Sequence, residues 1–278
     1  FLENENDMSL QNKTITFIGA GNMAEAFIRG LLAKQVIAPQ QIIATDVRPD
    51  RLELLRRQFN ILTESDNAAA VRQADIVVLA VKPQQMSAAL ATLSARPATL
   101  IISIAAGITT DRLERELGGQ ARVIRVMPNT PALVGAGAAA LCAGKFALLE
   151  DLQTATAILE AVGIVVPVEE KDLDAVTALS GSGPAYVFLV AEALIQAGIS
   201  AGLTPAIARR LAIQTVAGAG RLLAESMAEP AELRRQVTSP GGTTEAAVAV
   251  LLERQLPGIF REAVAAAAWR SRELSGAK

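Results

Sequence analysis

Two rhythms divide the chain. From Thr14 to about Val168, short runs rich in Ile and Val alternate with stretches whose apolar residues recur at helical spacing. The runs are "TITFIG", "QIIATD", "DIVVLAV", "TLIISIAA", "RVIRVM", "AAALCA" and "GIVVPV". Most are apolar with hardly a break, as strands buried on both faces of a parallel sheet must be. Between them, "AEAFIRGLLAKQ" and "RPDRLELLRRQF" carry the periodicity of amphipathic helices. Strand then helix, repeated, predicts right-handed crossovers and an α/β Rossmann-type domain with a parallel sheet. The late pair "AAALCA" and "GIVVPV" is where strict alternation is expected to lapse.

After "VEEKD" the strand-like runs stop. From Leu173 onward, Ala, Leu, Val, Arg and Glu recur at helical spacing, which predicts five or six helices. Pro184 and Pro205 sit where a first helical turn tolerates proline. Several of these helices are Ala-rich, and such faces suit either a subunit interface or an intrachain core. The predicted division is a dinucleotide-binding domain over residues 1–169 and an all-α domain over 170–278.

Composition narrows the chemistry. Of 278 residues, 51% are hydrophobic and 19% charged, a globular balance. The net charge is −2 and no long Lys/Arg run occurs, so no nucleic-acid partner is expected. No uninterrupted apolar run reaches about 18 residues, so no membrane span is expected. The acidic start "FLENENDM" lacks the pattern of a signal peptide. Residues 1–7, ahead of Met8, are expected to form a disordered extension of a soluble, cytoplasmic protein. One cysteine, Cys142, and no histidine rule out an internal disulfide and a histidine-based triad, and leave no set of metal ligands to expect. In "AAALCAG", Cys142 reads as a small buried hydrophobe. The chemistry is therefore expected to come with a cofactor.

Gly19-Ala20-Gly21-Asn22-Met23-Ala24 is a G-x-G-x-x-A turn that follows a strand and opens a helix. In that context the first glycine permits a tight turn, the second lets a pyrophosphate approach the backbone, and the small third residue lets helix pack on strand. Asp46, ending the second strand, stands where an acidic residue binds the adenosine ribose, which favours NADH. Arg48 stands where a cation covers a 2′-phosphate, which favours NADPH, and the two signals conflict. Val81, Lys82 and Pro83 end another strand at the edge where ligands bind. Ala105, Ala106 and Gly107 leave room for a flat ring, and Asn129 and Thr130 form a polar loop between two prolines. Far downstream, "VTSPGGTTEAAVAVL" sets glycines and hydroxyls before a helix, the make-up of an anion seat, with Thr243 or Thr244 expected as the helix cap.

These motifs, in order and spacing, resemble the pyrroline-5-carboxylate reductase family. The resemblance rests on "FIGAGNMA", "LAVKPQ", "SIAAG", "RVMPNTPALVG", "DAVTALSGSGPAYVF" and "PAELRRQVTSPGGTTEAAV". It implies a Rossmann domain followed by a helical substrate and dimerisation domain, with homodimers that also assemble into decamers. It implies reduction of 1-pyrroline-5-carboxylate to L-proline by NADPH or NADH. It places Gly19 to Ala24 on the pyrophosphate, Asn67 on the adenosine, and Val81, Lys82 and Ala106 beside the nicotinamide. Glu170 becomes cofactor-proximal. Ser239, Gly241, Gly242, Thr243 and Thr244 become the substrate loop, with Thr244 on the ring nitrogen or carboxylate. Where family members carry a glutamate three residues before the proline matched by Pro230, this chain has Met227, flanked by Glu225 and Glu229. Other NAD(P)-dependent imine or 2-hydroxyacid oxidoreductases share the architecture, but many of them rely on a lysine in the helical half. Here that half holds only Lys171 and Lys278. A non-catalytic nucleotide sensor would not need the GGTT loop.

Overall fold

The apolar runs become the strands of one eight-stranded sheet. The structure, a computed structural model, describes residues 10, 12–93 and 99–275. The extension over residues 1–7 and Lys278 lie outside these. The strands are β1 (Ile15–Ile18), β2 (Ile42–Thr45), β3 (Leu62–Glu64), β4 (Ile76–Leu79), β5 (Leu100–Ser103), β6 (Arg122–Met127), β7 (Gly137–Ala143) and β8 (Gly163–Pro167). They lie in the order β3-β2-β1-β4-β5-β6-β7-β8. All neighbours are parallel except β6 and β7, which run antiparallel. The reason is length. The link over residues 128–136 holds only a 3-10 turn, Thr130–Val134, too little chain for a crossover. β3 stands outside the seven apolar runs because its three residues, half exposed at the sheet edge, carry no apolar signature.

Six helices cover the two faces: α1 (Asn22–Ala33), α2 (Pro49–Phe59), α3 (Asn67–Arg72), α4 (Met86–Leu90), α5 (Thr110–Glu116) and α6 (Leu149–Glu160). Successive strand residues point to opposite faces, as the two-residue period demands. Phe17, Ile76, Val78 and Ile102 pack with Phe27, Leu55 and Ile158 on one side. Ile18, Val77, Leu79 and Ile101 pack with Val71, Met86 and Leu113 on the other. Cys142 lies in a third, small cluster with Ala140 and Leu173, and burial pushes its thiol up to about 12, with Glu170's charge adding to the shift. It is buried packing, as its apolar surroundings in the sequence indicate.

The chain then becomes helical through α7 (Leu173–Val176), α8 (Gly183–Ser200), α9 (Pro205–Glu225), α10 (Pro230–Gln236), α11 (Thr243–Glu253) and α12 (Leu256–Ser275). Pro184 and Pro205 both fall in first turns. By contact, one compact unit runs to Gly181 and a second spans Ser182–Ala266. The segment after Glu169 stays with the sheet because Leu173 and Ala178 are fully buried and Glu170 pairs with Arg125. Residues 267–275 are also grouped with the sheet unit. Within that unit the Ser271 hydroxyl donates to Asp174 Oδ1 at 2.6 Å.

The second unit, Ser182–Ala266, has little core of its own. Tyr186 and Phe260 meet edge to face with ring centres 6.5 Å apart, and Gly198 lets α8 approach Ala208 on α9. Yet α8 buries none of its residues, and Phe188, Leu189, Leu194, Leu211 and Leu222 are exposed. By length and mean hydropathy the stretch 170–200 is apolar enough to cross a membrane. Glu192 and Gln196 break its apolar run, so counting uninterrupted residues had passed it over.

α1 carries the glycine turn, and its placement depends on Gly30. A Cβ there would stand 2.6 Å from both the Ala161 carbonyl oxygen and Val162 Cγ1. Gly30→Ala is expected to cost about 1–3 kcal/mol through overpacking, read as a lower urea midpoint, because the helix cannot move without dragging the turn with it. An unchanged midpoint would refute this close-packing argument.

Candidate functional site

The carboxyl ends of β1, β2 and β4 open into a cleft of about 640 Å³. β1 sends its connection toward β2 while β4 lies on its other side, so the cleft sits at the switch in strand order. Open α/β sheets bind ligands at such a point. Seven of the sequence-predicted residues line it: Gly19, Gly21, Asp46, Arg48, Asn67, Val81 and Lys82.

Gly19 has φ +93°, and a Cβ on it would lie 2.9 Å from the Ala80 carbonyl oxygen. Both the conformation and the space require glycine. A Cβ on Gly21 would meet nothing within 4 Å, so the backbone there is bare toward open space. Gly21 is also the N-cap of α1, with no side-chain cap. The first N–H groups of that helix have no intrahelical partner and suit an anion. Asn22 is exposed, Met23 half-buried and Ala24 fully buried against the sheet, as a small residue at the third position must be. Pro83 starts a 3-10 turn directly after Lys82. A glycine-lined cradle of this volume, with uncapped N–H groups, fits a dinucleotide.

The turn is braced from behind. Ala20 donates its N–H to Asp46 Oδ2 at 3.0 Å. Arg51, from α2, donates Nε to the Ala20 carbonyl at 2.6 Å and pairs with Glu25 Oε2 at 2.5 Å. Burial pushes the Glu25 carboxyl up, but Arg51 and Arg29 together hold it below its ordinary value. Asp46 is likewise pushed up by burial and held down overall by hydrogen bonds from Arg48 and Ala20. Nothing in the sequence singles out Arg51, since it is one of several arginines on α2. Asn67 accepts from the Thr45 hydroxyl at 2.6 Å and donates to Thr92 Oγ1 at 3.3 Å, which fixes its amide at the cleft wall. Thr45, Ser65 and Thr92 also line the cleft and carry no motif.

Other expected residues stand elsewhere. Ala105 is buried and Ala106 exposed at the end of β5, and neither lines the cleft. Asn129 is a tether: its amide donates to Ser180 and accepts from the Ala138 N–H at 2.9 Å. Glu170 lies in a different network. It accepts from the Thr110 N–H at 2.8 Å and the Thr110 hydroxyl at 2.6 Å, and from Arg125 at 3.0 Å. Burial pushes its carboxyl up, and those three donors hold it below the ordinary glutamate value. Its place in this structure is to hold Thr110 at the start of α5, which Thr109 caps, and to neutralise the buried Arg125, outside the cleft lining.

In the helical unit, the loop from Ser239 to Gly242 is a tight turn. Gly242 donates to the Ser239 carbonyl at 3.0 Å, and a Cβ on Gly242 would meet that oxygen at 3.0 Å. Gly241 has φ +69° and donates its N–H to Glu245 Oε2 at 2.7 Å. The N-cap of α11 is Gly242, with no side-chain cap, so Thr243 and Thr244 are inside the helix and do not cap it. The turn needs a residue without a Cβ at the cap, which displaces the threonines by one and two positions. Their N–H groups belong to the first turn, which has no intrahelical acceptors. Met227 is fully exposed, and Glu225 pairs with Arg221 at 2.7 Å. Lys171 is exposed and pairs with Glu169, so it supplies no buried catalytic lysine.

Fold and cleft thus define a dinucleotide-binding Rossmann oxidoreductase. Residues 14–107 match the family model "NADP oxidoreductase coenzyme F420-dependent", and residues 170–274 match "Pyrroline-5-carboxylate reductase dimerisation". A pyrroline-5-carboxylate reductase of Synechocystis sp. is 45% identical, covering 96% of this chain and 99% of that protein. One from Pseudomonas aeruginosa is 46% identical over 94% of this chain and 96% of its own length. The solved structure of a Coxiella burnetii pyrroline-5-carboxylate reductase superposes with a TM-score of 0.89 at 42% identity, covering 95% of this chain and 98% of that one. A Plasmodium falciparum pyrroline carboxylate reductase, solved with NADP bound, gives 0.83 at 31% identity, covering 95% and 98%. The chain belongs to the pyrroline-5-carboxylate reductase family.

The Glu170 network makes a pH-dependent contribution to stability. Its folded-state value lies below the ordinary 4.5, so the contribution is complete above 4.5 and is lost as pH falls through the lowered value. The stability advantage of the native chain over Glu170→Gln is expected to shrink between about pH 5 and pH 3, measured by urea unfolding at each pH. A gap that stays constant or widens on acidification would contradict the assignment.

Proposed function

We propose that this chain reduces 1-pyrroline-5-carboxylate to L-proline with NADPH or NADH, the closing step of proline biosynthesis. The observation that carries this is the glycine cradle at the strand switch in a chain of this family. When bound, the nicotinamide supplies hydride to the C=N carbon. The protein's part is to bind, orient and exclude alternatives. Gly19 to Ala24 receive the pyrophosphate at the uncapped end of α1. Asn67 holds the adenosine side, and Val81 and Lys82 at the cleft lead to the nicotinamide side, where Pro83 and the end of β5 at Ala105 and Ala106, outside the cleft lining, would back the ring.

Ser239, Gly241, Gly242, Thr243 and Thr244 form the substrate seat. The uncapped N–H groups of Thr243 and Thr244 receive the carboxylate, and the Thr244 hydroxyl orients the ring nitrogen. An imine protonated at that nitrogen is already electrophilic, so no strong protein acid is required, in keeping with a chain without histidine. Glu170 acts through Arg125 and Thr110 on the fold rather than on the cofactor.

The test is steady-state oxidation of both cofactors with 1-pyrroline-5-carboxylate, in the native chain and in Thr244→Ala. The native chain should turn over. The variant should lose about 1–3 kcal/mol of transition-state stabilisation, a drop in kcat/KM of roughly five- to 150-fold. No oxidation with either cofactor would sink the activity, and unchanged constants in the variant would sink the role of Thr244.

The same reading gives the helical unit a partner, a second copy of this chain. An 18-residue helix with no buried residue is stable only when its apolar surface is covered. Light scattering on detergent-free protein is expected to give at least twice the chain mass. A folded monomer at micromolar concentration is the outcome that removes this assignment.

A further inference from the structure

The turn at the end of β5 is shaped by parts of the chain far from it in sequence. Ala106 and Gly107 form it, and Gly107 has φ +73°, a left-handed conformation that favours glycine. The turn closes no backbone hydrogen bond of its own among the described residues. Its shape is therefore set by what surrounds it. On the inner side, Ile108 is buried in the core cluster that holds Leu79 and Leu113. Behind it, Glu170 takes both the N–H and the hydroxyl of Thr110. Over it lies the last turn of α12. A Cβ on Gly107 would meet the Leu274 carbonyl oxygen at 3.4 Å and the Ser275 nitrogen at 3.6 Å, so the two backbones are in direct contact.

One residue places that end of α12. Of the helix's 20 residues only Ser271 is buried, and it is polar. A buried hydroxyl needs a partner. Ser271 donates to Asp174 Oδ1 at 2.6 Å, across 97 positions of sequence. Leu274 follows three positions later, on the same face of the helix. Asp174, on α7, belongs to the same short segment as Glu170. That segment thus holds the β5 turn twice, directly through Thr110 and indirectly through Ser271, α12 and Gly107. The kind of contact matters. Apolar packing is non-directional and tolerates sliding, whereas a hydrogen bond between two short side chains fixes one register.

We infer that Ser271 and Asp174 are positioning residues for hydride transfer, which fix the last turn of α12 on Gly107 and so hold Ala105 and Ala106 where they back the nicotinamide. The inference rests on the proposed reaction and on the place that reading gives to Ala105 and Ala106. Those two residues offer too little side chain to seat a flat ring by themselves. The distance from ring to substrate then depends on where the backbone of the turn is kept, and transfer rates fall steeply with small misplacement. Neither Ser271 nor Asp174 lines the cleft, so both act through α12 and the turn.

The experiment is single-turnover, stopped-flow oxidation of NADPH by the full chain with saturating 1-pyrroline-5-carboxylate, in the native chain, Ser271→Ala, Asp174→Ala and Asp174→Asn. The amplitude counts active protein and the rate constant reports placement, so loss of folded protein and loss of geometry are read separately. In both alanine variants the rate constant is expected to fall about five- to hundredfold, while affinity for 5′-AMP, a probe of the adenosine end, stays at the native value. Asp174→Asn, which keeps an acceptor at Oδ1, should remain within about threefold of native. Rate constants in the alanine variants within about twofold of native overturn the inference. So does a loss confined to amplitude, or failure of both alanine variants to fold, since either assigns the pair to stability alone. Asp174→Asn falling as far as Asp174→Ala, or weakened 5′-AMP binding, overturns it as well. Absence of a transient in the native chain removes the proposed reaction itself.

Discussion

The turn between β1 and α1 is held from three directions, and the functional end of the first unit depends on it. Gly19 bends where no side chain fits beneath Ala80. Asp46 takes the Ala20 N–H, and Arg51 takes the Ala20 carbonyl from the side of α2. A turn with φ +93° at its first residue would otherwise wander among several conformations. Fixing the donors and acceptors of Ala20 leaves the remaining N–H groups of the turn and of α1 pointing the way they must. Preorganisation of this kind lowers the ordering cost of binding a large, flexible dinucleotide.

Charge is used sparingly and in pairs. Glu25 joins Arg29 and Arg51, Asp46 joins Arg48, and Glu170 joins Arg125. Each carboxyl is pushed upward by burial and brought back below its ordinary value by its partners. These groups are thereby fixed in the charged state at neutral pH and serve geometry rather than proton transfer. That division of labour suits a reaction whose electrons come with the cofactor.

The sheet was legible because buried strands must be apolar almost throughout, and all seven runs are apolar, although β8 is mostly exposed at the sheet edge. The eighth strand was not, since "LTE" forms at an edge by backbone pairing with β2 and needs no apolar side chain. The G-x-G-x-x-A turn was legible because steric demands leave few residues to choose from. Arg51 was invisible, since a solvated arginine and one aimed at a carbonyl look the same in a sequence. Glu170 was visible as a cofactor-proximal position implied by the family resemblance but not as the partner of Arg125, 45 positions earlier in the chain. The threonine caps of α11 were misread by one and two residues, because the rule that hydroxyls cap helices ignores a turn tight enough to demand glycine at the cap. The contact boundary after Gly181 could not be read either, for it depends on Leu173 and Ala178 finding room against the sheet.

Glu245 serves as a placeholder. It sits in the first turn of α11 and reaches back to the N–H of Gly241. The loop Ser239–Gly242 is thus held by its own backbone and by the helix it precedes, its most awkward donor already answered from within that helix. As the proposed substrate seat, a loop braced in this way would not have to fold around its guest.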